Sequence, residues 1–374
     1  MAMPSGKPER TWLVWVRRGK RRLPGSPADV DAIAELASLV EAAGGVVAGF
    51  RTQTLTRENP ATVIGTGAIE ALREDVRRHG VDLVVFQNLL KPKQQQELSR
   101  ALEAKVLDRR EVILDIFAQR ARSREGKLQV ELAQLSFRLG RLAGTGKEMS
   151  RPGGGIGTRG PGEKKLEEDR RRIRTQVRRI ERELRDVRRT RALHYRRRRA
   201  VGFPVVSLVG YTNAGKSTLF NRLTGASVFV ADRLFATLDP TARRLPLPGG
   251  RDAILVDTVG FVHDLPAELL DAFLATLEGI GEADLLVHVA DGSATSMAEN
   301  VASVDALLAK LGFSVKPTVI AVNKRDLGLG GGACPDGAIP ISAATGEGIP
   351  DLLEAIRKEL WVHGWAESGS TRLA

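Results

Sequence analysis

The sequence is poor in the residues that build disulfide frameworks and metal centres. Cys334 is the only cysteine in 374 residues, and the five histidines lie far apart. A disulfide framework and a cysteine-based zinc site are therefore excluded, and a reducing compartment is expected. No run of 18 apolar residues occurs, so no transmembrane helix is predicted. The apolar run Trp12–Val16 is too short and too far in for a signal peptide, and we expect a cytoplasmic protein.

Acidic residues are too few in one segment to balance its basic residues. Residues 164–199 hold 17 lysines and arginines against six acidic residues, a net of +11 in a chain whose net charge is +12. A solvated helix face normally carries acidic partners at i±4, and here they are scarce. The excess is typical of polyanion binding, with nucleic acid the first candidate and an anionic membrane surface the second. Because His194 and Tyr195 are the segment's only rings, backbone contacts are favoured over base stacking.

What the sequence does contain is a phosphate-loop motif. Residues 210–217 read GYTNAGKS, which fits the pattern G-x-x-x-x-G-K-[ST]. An apolar run at 204–209 precedes it as a buried strand, and a helix is predicted at 217–223. Backbone N–H groups at a helix N-terminus bind anions, and Lys216 is expected to bridge the β- and γ-phosphates. Alone, this motif indicates only that the chain binds a nucleoside triphosphate.

Three further motifs follow in the order of a guanine-nucleotide site. DTVG stands at 257–260, NKRD at 323–326 and ISA at 341–343, each after an apolar strand-like run. A carboxylate at Asp326 can accept both N1–H and the 2-amino group of guanine, donors that adenine lacks. Ligand sites at strand carboxyl ends are also what open α/β sheets provide. Together the four motifs predict a site for GTP and GDP.

The residues of this predicted site have separate roles. Lys216, Thr237 and Gly260 are the predicted catalytic residues, with Gly260 offering its N–H to the γ-phosphate. Mg²⁺ is the predicted cofactor because it prefers a few oxygen ligands beside phosphates, and its predicted ligands are Ser217, Thr237 and Asp257. Thr241 and Thr224 compete with Thr237 for the switch threonine. The full set of predicted nucleotide-binding residues is Gly210, Tyr211, Thr212, Asn213, Ala214, Gly215, Lys216, Ser217, Thr218, Asp257, Thr258, Val259, Gly260, Asn323, Lys324, Asp326, Ser342, Ala343 and Ala344.

The residue after DTVG departs from Ras-like GTPases. A glutamine there orients the attacking water, whereas this chain has Phe261, which cannot hydrogen-bond water through its side chain. We therefore expect slow hydrolysis by the isolated chain, with help from a partner surface or a monovalent cation. Asn213 could hold K⁺ against the phosphates, or it could only cap the loop. No obvious arginine finger is present, although Arg243 and Arg244 are near in sequence.

The chain divides into segments of different character. The predicted fold class is α/β, with an N-terminal α/β subdomain, a long antiparallel helical hairpin and a P-loop GTPase domain with a mostly parallel sheet. The predicted bounds are 1–120 for the subdomain, 121–200 for the hairpin, 201–360 for the GTPase domain and 361–374 for a short tail. Within the hairpin, leucines from 128 to 142 and apolar residues from 166 to 187 follow heptad spacing. Residues 144–162, with eight glycines and two prolines, are predicted to form the loop between the two helices.

Several segments resemble the HflX family of ribosome-associated GTPases in the Obg-related group. They are ILDIFAQRARSREGKLQVELAQL at 113–135, RPGGGIGTRGPGEKKLEEDRRRIR at 151–174, VGYTNAGKSTLFNRLT at 209–224, LFATLDPTARR at 234–244 and DTVGFVHDLP at 257–266. The resemblance implies GTP-dependent binding to the large ribosomal subunit and its rRNA, and splitting or rescue of stalled ribosomes under stress. It places the hairpin loop near the peptidyl-transferase centre. The implied ribosome-binding residues are Arg151, Gly153, Gly154, Gly155, Arg159 and Gly160.

Two other interpretations of the basic helix remain at this point. A membrane-surface signalling GTPase would use the arginines on anionic lipid as a peripheral protein, although the basic face lacks apolar residues. A dimerisation coiled coil would pair the heptad seams between two chains, whereas the hairpin interpretation predicts a monomer.

Overall fold

The computed structural model describes residues 7–19, 27–149, 161–200, 203–225, 235, 241–258, 260–261, 280–330 and 334–362. Contacts divide the chain into two compact units, Met1–Gln119 with Val130–Glu183 and Arg120–Gln129 with Leu184–Ala374. In the part of the chain that is described, no helix is both long and apolar enough to span a bilayer. The division into subdomain, hairpin, GTPase domain and tail stays a prediction.

The N-terminal part is built on a parallel four-stranded sheet. Its elements in chain order are β1 (Arg10–Arg18), α1 (Pro27–Ala42), β2 (Val46–Leu55), α2 (Thr66–Arg78), β3 (Leu83–Phe86), α3 (Pro92–Leu102), β4 (Lys105–Asp108) and α4 (Arg109–Arg120). The strand order is β2-β1-β3-β4, with every neighbouring pair parallel. β3 is buried throughout, which explains its unbroken LVVF sequence. The predicted α/β character of this segment is confirmed.

Two long helices follow, α5 (Arg124–Met149) and α6 (Pro161–Ala200). They contact each other where Arg170 Nη2 donates to Leu142 O at 2.7 Å. On α6 the apolar seam is the less exposed side, since Ile180 and Leu184 are buried while Arg171 and Arg178 are exposed. The loop predicted at 144–162 is too long at both ends, because α5 continues to Met149 and α6 already begins at Pro161. Glycine costs only about 1 kcal/mol in a helix interior, so Gly144 and Gly146 do not end α5.

The C-terminal part is built on a six-stranded sheet in the order β10-β9-β8-β5-β7-β6. Its elements are β5 (Val205–Val209), α7 (Lys216–Thr224), β6 (Thr241–Leu247), β7 (Arg251–Asp257), β8 (Leu285–Asp291), α8 (Met297–Lys310), β9 (Thr318–Asn323), β10 (Ile339–Pro340) and α9 (Ile349–Val362), with a short 3-10 helix at Arg325–Leu327. Only β6 runs antiparallel to its neighbour, so the predicted mostly parallel sheet is confirmed. One apolar core joins β5 to α7 and α9 through Leu208, Phe220 and Ile356.

Candidate functional site

The four sequence motifs meet at one edge of the six-stranded sheet. Strands β5, β7 and β9 are parallel members of one sheet, and they end directly before Gly210, at Asp257 and at Asn323. β10 pairs with β9 in the same direction and leads into Ser342. Because the carboxyl ends of parallel strands share an edge, residues about 130 positions apart in sequence come together there. This is the crevice position at which open α/β sheets bind ligands.

The phosphate loop connects β5 to α7 and depends on two glycines. Gly210 has φ of +147° and packs against Val289 O, so that a Cβ there would overlap the backbone. Gly215 has φ of +89° at the N-cap of α7 and lies against the side-chain amide of Asn323. Only glycine combines these backbone angles with so close an approach. The loop therefore brings the first N–H groups of α7 to the sheet edge.

Lys216 lies folded over this loop. Its Nζ donates to Gly210 O at 3.0 Å and to Tyr211 O at 2.7 Å. The side chain is buried, and burial lowers the pKa of its ammonium group to about 8, while the Asp257 carboxylate opposes the shift. Two of the three ammonium hydrogens are thereby used, which holds the charge in place and leaves one for a ligand.

Ser217 and Asp257 form a compact oxygen pair beside the loop. Ser217 Oγ donates to Asp257 Oδ2 at 2.8 Å, and Asp257 is fully buried at the end of β7. The following residue, Thr258, donates from its hydroxyl to Leu208 O at 2.5 Å, which joins the DTVG segment to β5. A hydroxyl and a carboxylate next to an anion-binding loop are the donor set that Mg²⁺ prefers.

The DTVG segment ends against the phosphate loop. Phe261 N donates to Gly210 O at 3.1 Å, and Thr212 N donates to Phe261 O at 2.7 Å. The Phe261 side chain is buried in an apolar cluster with Val205 and Val209, below the loop. Its ring is therefore part of the core, and its backbone is part of the site.

The predicted base-binding residues are linked to the phosphate loop through Asn323. Asn323 Nδ2 donates to Ala214 O at 2.8 Å, and Asn323 Oδ1 accepts from Ala343 N at 2.9 Å. Ser342 Oγ donates to Asp326 Oδ1 at 2.6 Å, while Asp326 remains exposed to solvent. The three motifs thus form one hydrogen-bonded unit.

Two residues of this unit were missed at the sequence level. Asp291 Oδ2 pairs with Lys324 Nζ at 2.7 Å, and Asp291 Oδ1 accepts from Ser293 Oγ at 2.6 Å. Arg222 on α7 donates from Nε to Ala343 O at 3.1 Å and from Nη2 to Ala344 O. The apolar run at 285–290, ending in an aspartate, is the signal that could have identified Asp291 as another strand-end residue.

Some predicted site residues lie outside the described part of the chain. They are Thr237, Val259, Arg151, Gly153, Gly154, Gly155, Arg159 and Gly160. Among the alternatives to Thr237, Thr224 donates its hydroxyl to Phe220 O within α7 and lies about 10 Å along that helix from Ser217. Thr241 instead pairs with Asp257 across β6 and β7. Of the two, only Thr241 is close to the oxygen pair.

The candidate potassium ligand Asn213 and the arginines Arg243 and Arg244 have different surroundings. Asn213 has a left-handed backbone with φ of 62°. Its side chain is exposed and makes no hydrogen bond within the described residues, so the loop-capping bond is not formed there. Arg244 pairs with Asp252 at 2.7 Å. Arg243 donates to the neighbouring Ala242 O at 3.0 Å.

Comparison with known proteins covers nearly the whole chain. Residues 30–118 match the family described as GTP-binding GTPase N-terminal, residues 120–198 match GTP-binding GTPase Middle Region, and residues 205–324 match 50S ribosome-binding GTPase. The GTPase HflX of Caldanaerobacter subterraneus subsp. tengcongensis is 50% identical over 339 residues, covering 90% of this chain and 78% of that protein. The GTPase HflX of Escherichia coli is 42% identical over 339 residues, covering 89% and 80% respectively.

A solved structure shares the fold. The crystal structure described as the SsGBP and GDP complex is 24% identical, with a TM-score of 0.51, and it covers 95% of this chain and 99% of that one. At this identity the likeness concerns the fold alone.

Proposed function

The chain belongs to the HflX family of GTPases, and we propose that it is a GTP-hydrolysing switch that binds the large ribosomal subunit in its GTP state. In that role it splits or rescues stalled ribosomes under stress. The observation that carries the proposal is a complete set of GTP motifs, assembled at one sheet edge, in a chain that also has a strongly basic helix. GTP and GDP are its nucleotide ligands, and the large subunit with its rRNA is its partner.

In this proposal each part of the site has one task. The N–H groups from residues 213–218 bind the β-phosphate, with Lys216 between the β- and γ-phosphates. Gly260 meets the γ-phosphate through its N–H. Asp326 reads the guanine edge, held by Ser342 at 2.6 Å. Asn323 keeps the phosphate loop and the base loop at a fixed separation through bonds of 2.8 and 2.9 Å.

Two cations fit the donor groups present. Ser217 and Asp257 would hold Mg²⁺ together with Thr237, and the ion would neutralise phosphate charge. Exposed Asn213, with a side-chain oxygen engaged by no described residue, would be the ligand that the chain offers to K⁺. Because the Phe261 ring lies in the apolar core, hydrolysis by the chain alone is slow, and ribosomal contact raises it.

The partner is recognised through the basic face of α6. Arg171, Arg178 and Arg182 are separated by seven and four residues, which places them within about 40° of one another around a helix of 3.6 residues per turn. They lie on the side opposite the buried Ile180, and they are exposed. Among the described residues, none of the three has an acidic partner. A stripe of unneutralised arginines is suited to phosphate groups of structured RNA. The predicted loop between α5 and α6, with Arg151 and Arg159 in a glycine-rich sequence, would enter a narrow cavity lined by phosphates.

The first test is GTP turnover with and without purified large ribosomal subunits. At low salt we expect stimulation of at least about tenfold, equivalent to about 1.4 kcal/mol of barrier. Co-sedimentation with large subunits should require a non-hydrolysable GTP analogue and should be lost with GDP. Unchanged turnover at saturating subunits would contradict the proposal.

A second test uses the arginine stripe. The triple variant Arg171→Gln, Arg178→Gln, Arg182→Gln should lower subunit affinity and reduce the slope of log K against log salt by about 2–3, because each phosphate contact contributes about 0.7–0.9. The matched control removes three exposed arginines elsewhere, Arg77, Arg78 and Arg100 on α2 and α3, and should leave the slope unchanged. Equal effects from both triples would show that the charge acts without a specific surface.

The membrane-surface GTPase is the alternative. It predicts co-sedimentation with anionic liposomes that the same triple variant abolishes. For self-association, the contact between Arg170 and Leu142 at 2.7 Å within one chain favours a hairpin and a monomer. Solution mass tests this directly.

A further inference from the structure

Thr212 is the third residue of the phosphate loop, and its backbone is already engaged. Its N–H donates to Phe261 O at 2.7 Å, while Gly210 O accepts from Phe261 N at 3.1 Å. The N–H of Thr212 is therefore not available to a phosphate group. What Thr212 can still offer to a ligand is its side-chain hydroxyl.

That hydroxyl is closed off from solvent without a partner. Thr212 is 6% exposed, and within the described residues its Oγ1 has no hydrogen bond. Nearly all buried polar atoms in folded proteins are satisfied, so an exception calls for a physical reason. Strain reservoirs, catalytic roles and bound water or ligand are the usual ones.

The surroundings of Thr212 point to a ligand that arrives with the γ-phosphate. A Cβ built on Gly260 would lie 2.8 Å from Thr212 Cγ2 and 2.9 Å from Lys216 Nζ. The Thr212 methyl group, the Lys216 ammonium group and Gly260 therefore border the same small space. The hydroxyl is on the same Cβ, and rotation of about 120° about the Cα–Cβ bond exchanges it with the methyl group. Gly260 and Lys216 are the residues assigned to the γ-phosphate, so Thr212 lies in the wall of that subsite.

Phe261 cannot orient the attacking water, so another residue near the γ-phosphate is needed for this role. Its ring is buried with Val209 and Ile280 in an apolar cluster, and a phenyl ring cannot orient water by a hydrogen bond. Thr212 meets Phe261 through the backbone, so its side chain lies next to the position where a Ras-like enzyme has its water-orienting glutamine. A threonine hydroxyl can donate one hydrogen bond and accept another at the same time.

We propose that Thr212 is a catalytic residue of GTP hydrolysis. When GTP is bound, rotation about the Cα–Cβ bond brings its hydroxyl to the Gly260 side, where it donates to a γ-phosphate oxygen and accepts a hydrogen bond from the attacking water. The water oxygen forms the new bond to the γ-phosphorus, and the bond to the bridging oxygen breaks with its electron pair leaving on GDP. The water proton passes to the phosphate released. The inference rests on GTP hydrolysis and is independent of ribosome binding.

The test compares two substitutions in the full chain. Thr212→Val keeps the shape and removes the hydroxyl, whereas Thr212→Ser keeps the hydroxyl and removes the methyl group. We expect Thr212→Val to lower the single-turnover rate of GTP hydrolysis by about 10- to 100-fold, the scale set by loss of one transition-state hydrogen bond. GDP affinity should stay within about twofold of the unsubstituted protein, since GDP lacks the γ-phosphate. Thr212→Ser should keep the rate within about threefold.

A stability measurement separates this role from a structural one. Because Thr212→Val removes an unsatisfied buried hydroxyl, we expect the Tm of the nucleotide-free protein to rise by about 2–4 °C. Slower hydrolysis in a more stable protein is a combination that damage to the loop would not produce.

Three results would overturn the proposal. They are a Thr212→Val rate within about twofold of the unsubstituted protein, a parallel loss of GDP affinity, or a lower Tm. If Thr212→Val does not fold, Thr212→Ala supplies the hydroxyl-free variant, and the same comparison of rate with GDP affinity decides. Because the assay needs no ribosomes, its failure would leave the ribosomal proposal standing.

Discussion

Asn323 makes the two hydrogen bonds that join the base loop to the phosphate loop, and replacing it with alanine would break both. The side chain is 2% exposed and bonds Ala214 O at 2.8 Å and Ala343 N at 2.9 Å. Ala214 and Ala343 are themselves buried, so neither backbone group can turn to bulk water. Asn323→Ala therefore leaves one buried acceptor and one buried donor unsatisfied.

The size of the effect follows from these two groups. Each unsatisfied buried group costs about 1–3 kcal/mol, so the free energy of unfolding should fall by about 2–6 kcal/mol. A water molecule in the vacated amide volume would satisfy part of these groups and keep the loss in the lower part of this range, about 2–4 kcal/mol. GDP affinity should fall by at least about tenfold, because binding must first restore the separation of the two loops.

The assay is hydrogen exchange in increasing urea, read on peptides from β9, which report on unfolding of the C-terminal part. GDP affinity is measured by titration calorimetry. The matched control is Asn300→Ala on α8, a half-exposed asparagine that donates to Ser296 Oγ at 3.3 Å, and its replacement should change stability by at most about 1 kcal/mol. A loss below about 1 kcal/mol for Asn323→Ala, with GDP affinity unchanged, would refute the reasoning.

Three further predictions concern the same site. Because burial sets the pKa of Lys216 at about 8 in the free protein and bound phosphates require the ammonium form, GDP affinity should be level below that pH and fall as the pH rises through it. Guanosine has no phosphate, so its affinity should not fall in this way as the pH rises. Asp291→Asn should release Lys324 from its 2.7 Å contact and weaken GDP and IDP by the same factor, about three- to tenfold, because the ammonium group acts on the base plane rather than on the 2-amino group; a loss confined to GDP would contradict this. Gly260→Ala places a methyl group 2.8 Å from Thr212 Cγ2 and 2.9 Å from Lys216 Nζ, so calorimetry should show weaker binding of a GTP analogue with GDP binding preserved.

The parts of the fold that could be predicted were those encoded by neighbouring residues. The buried run before Gly210 and the helix after it were found because a strand, a glycine loop and a helix follow one another within about 20 residues. Their observed bounds, Val205–Val209 and Lys216–Thr224, differ from the predicted ones by a single residue at each changed end. The family resemblance and the fold class could also be predicted correctly, because the segments that carry them are continuous in sequence.

The contacts that could not be predicted are those that depend on which strands are neighbours in the sheet. The pair formed by Asp291 and Lys324 exists because β8 lies beside β9, with Asp291 opposite Asn323. β8 itself has no alternation of polar and apolar residues, since it is buried on both faces, and its sequence cannot be told from a buried helix segment by periodicity. The end of α5 was missed for a different reason, because a glycine in a helix interior costs only about 1 kcal/mol and does not by itself end the helix.

The position of the Phe261 ring limits how this enzyme could be redesigned. Replacing Phe261 with glutamine would not recreate the water-orienting site of a Ras-like GTPase. The new side-chain amide would be buried among Val205, Val209 and Ile280 and could not reach the attacking water. The dependence on a ribosomal activator that we propose would then follow from the packing of the apolar core around Phe261.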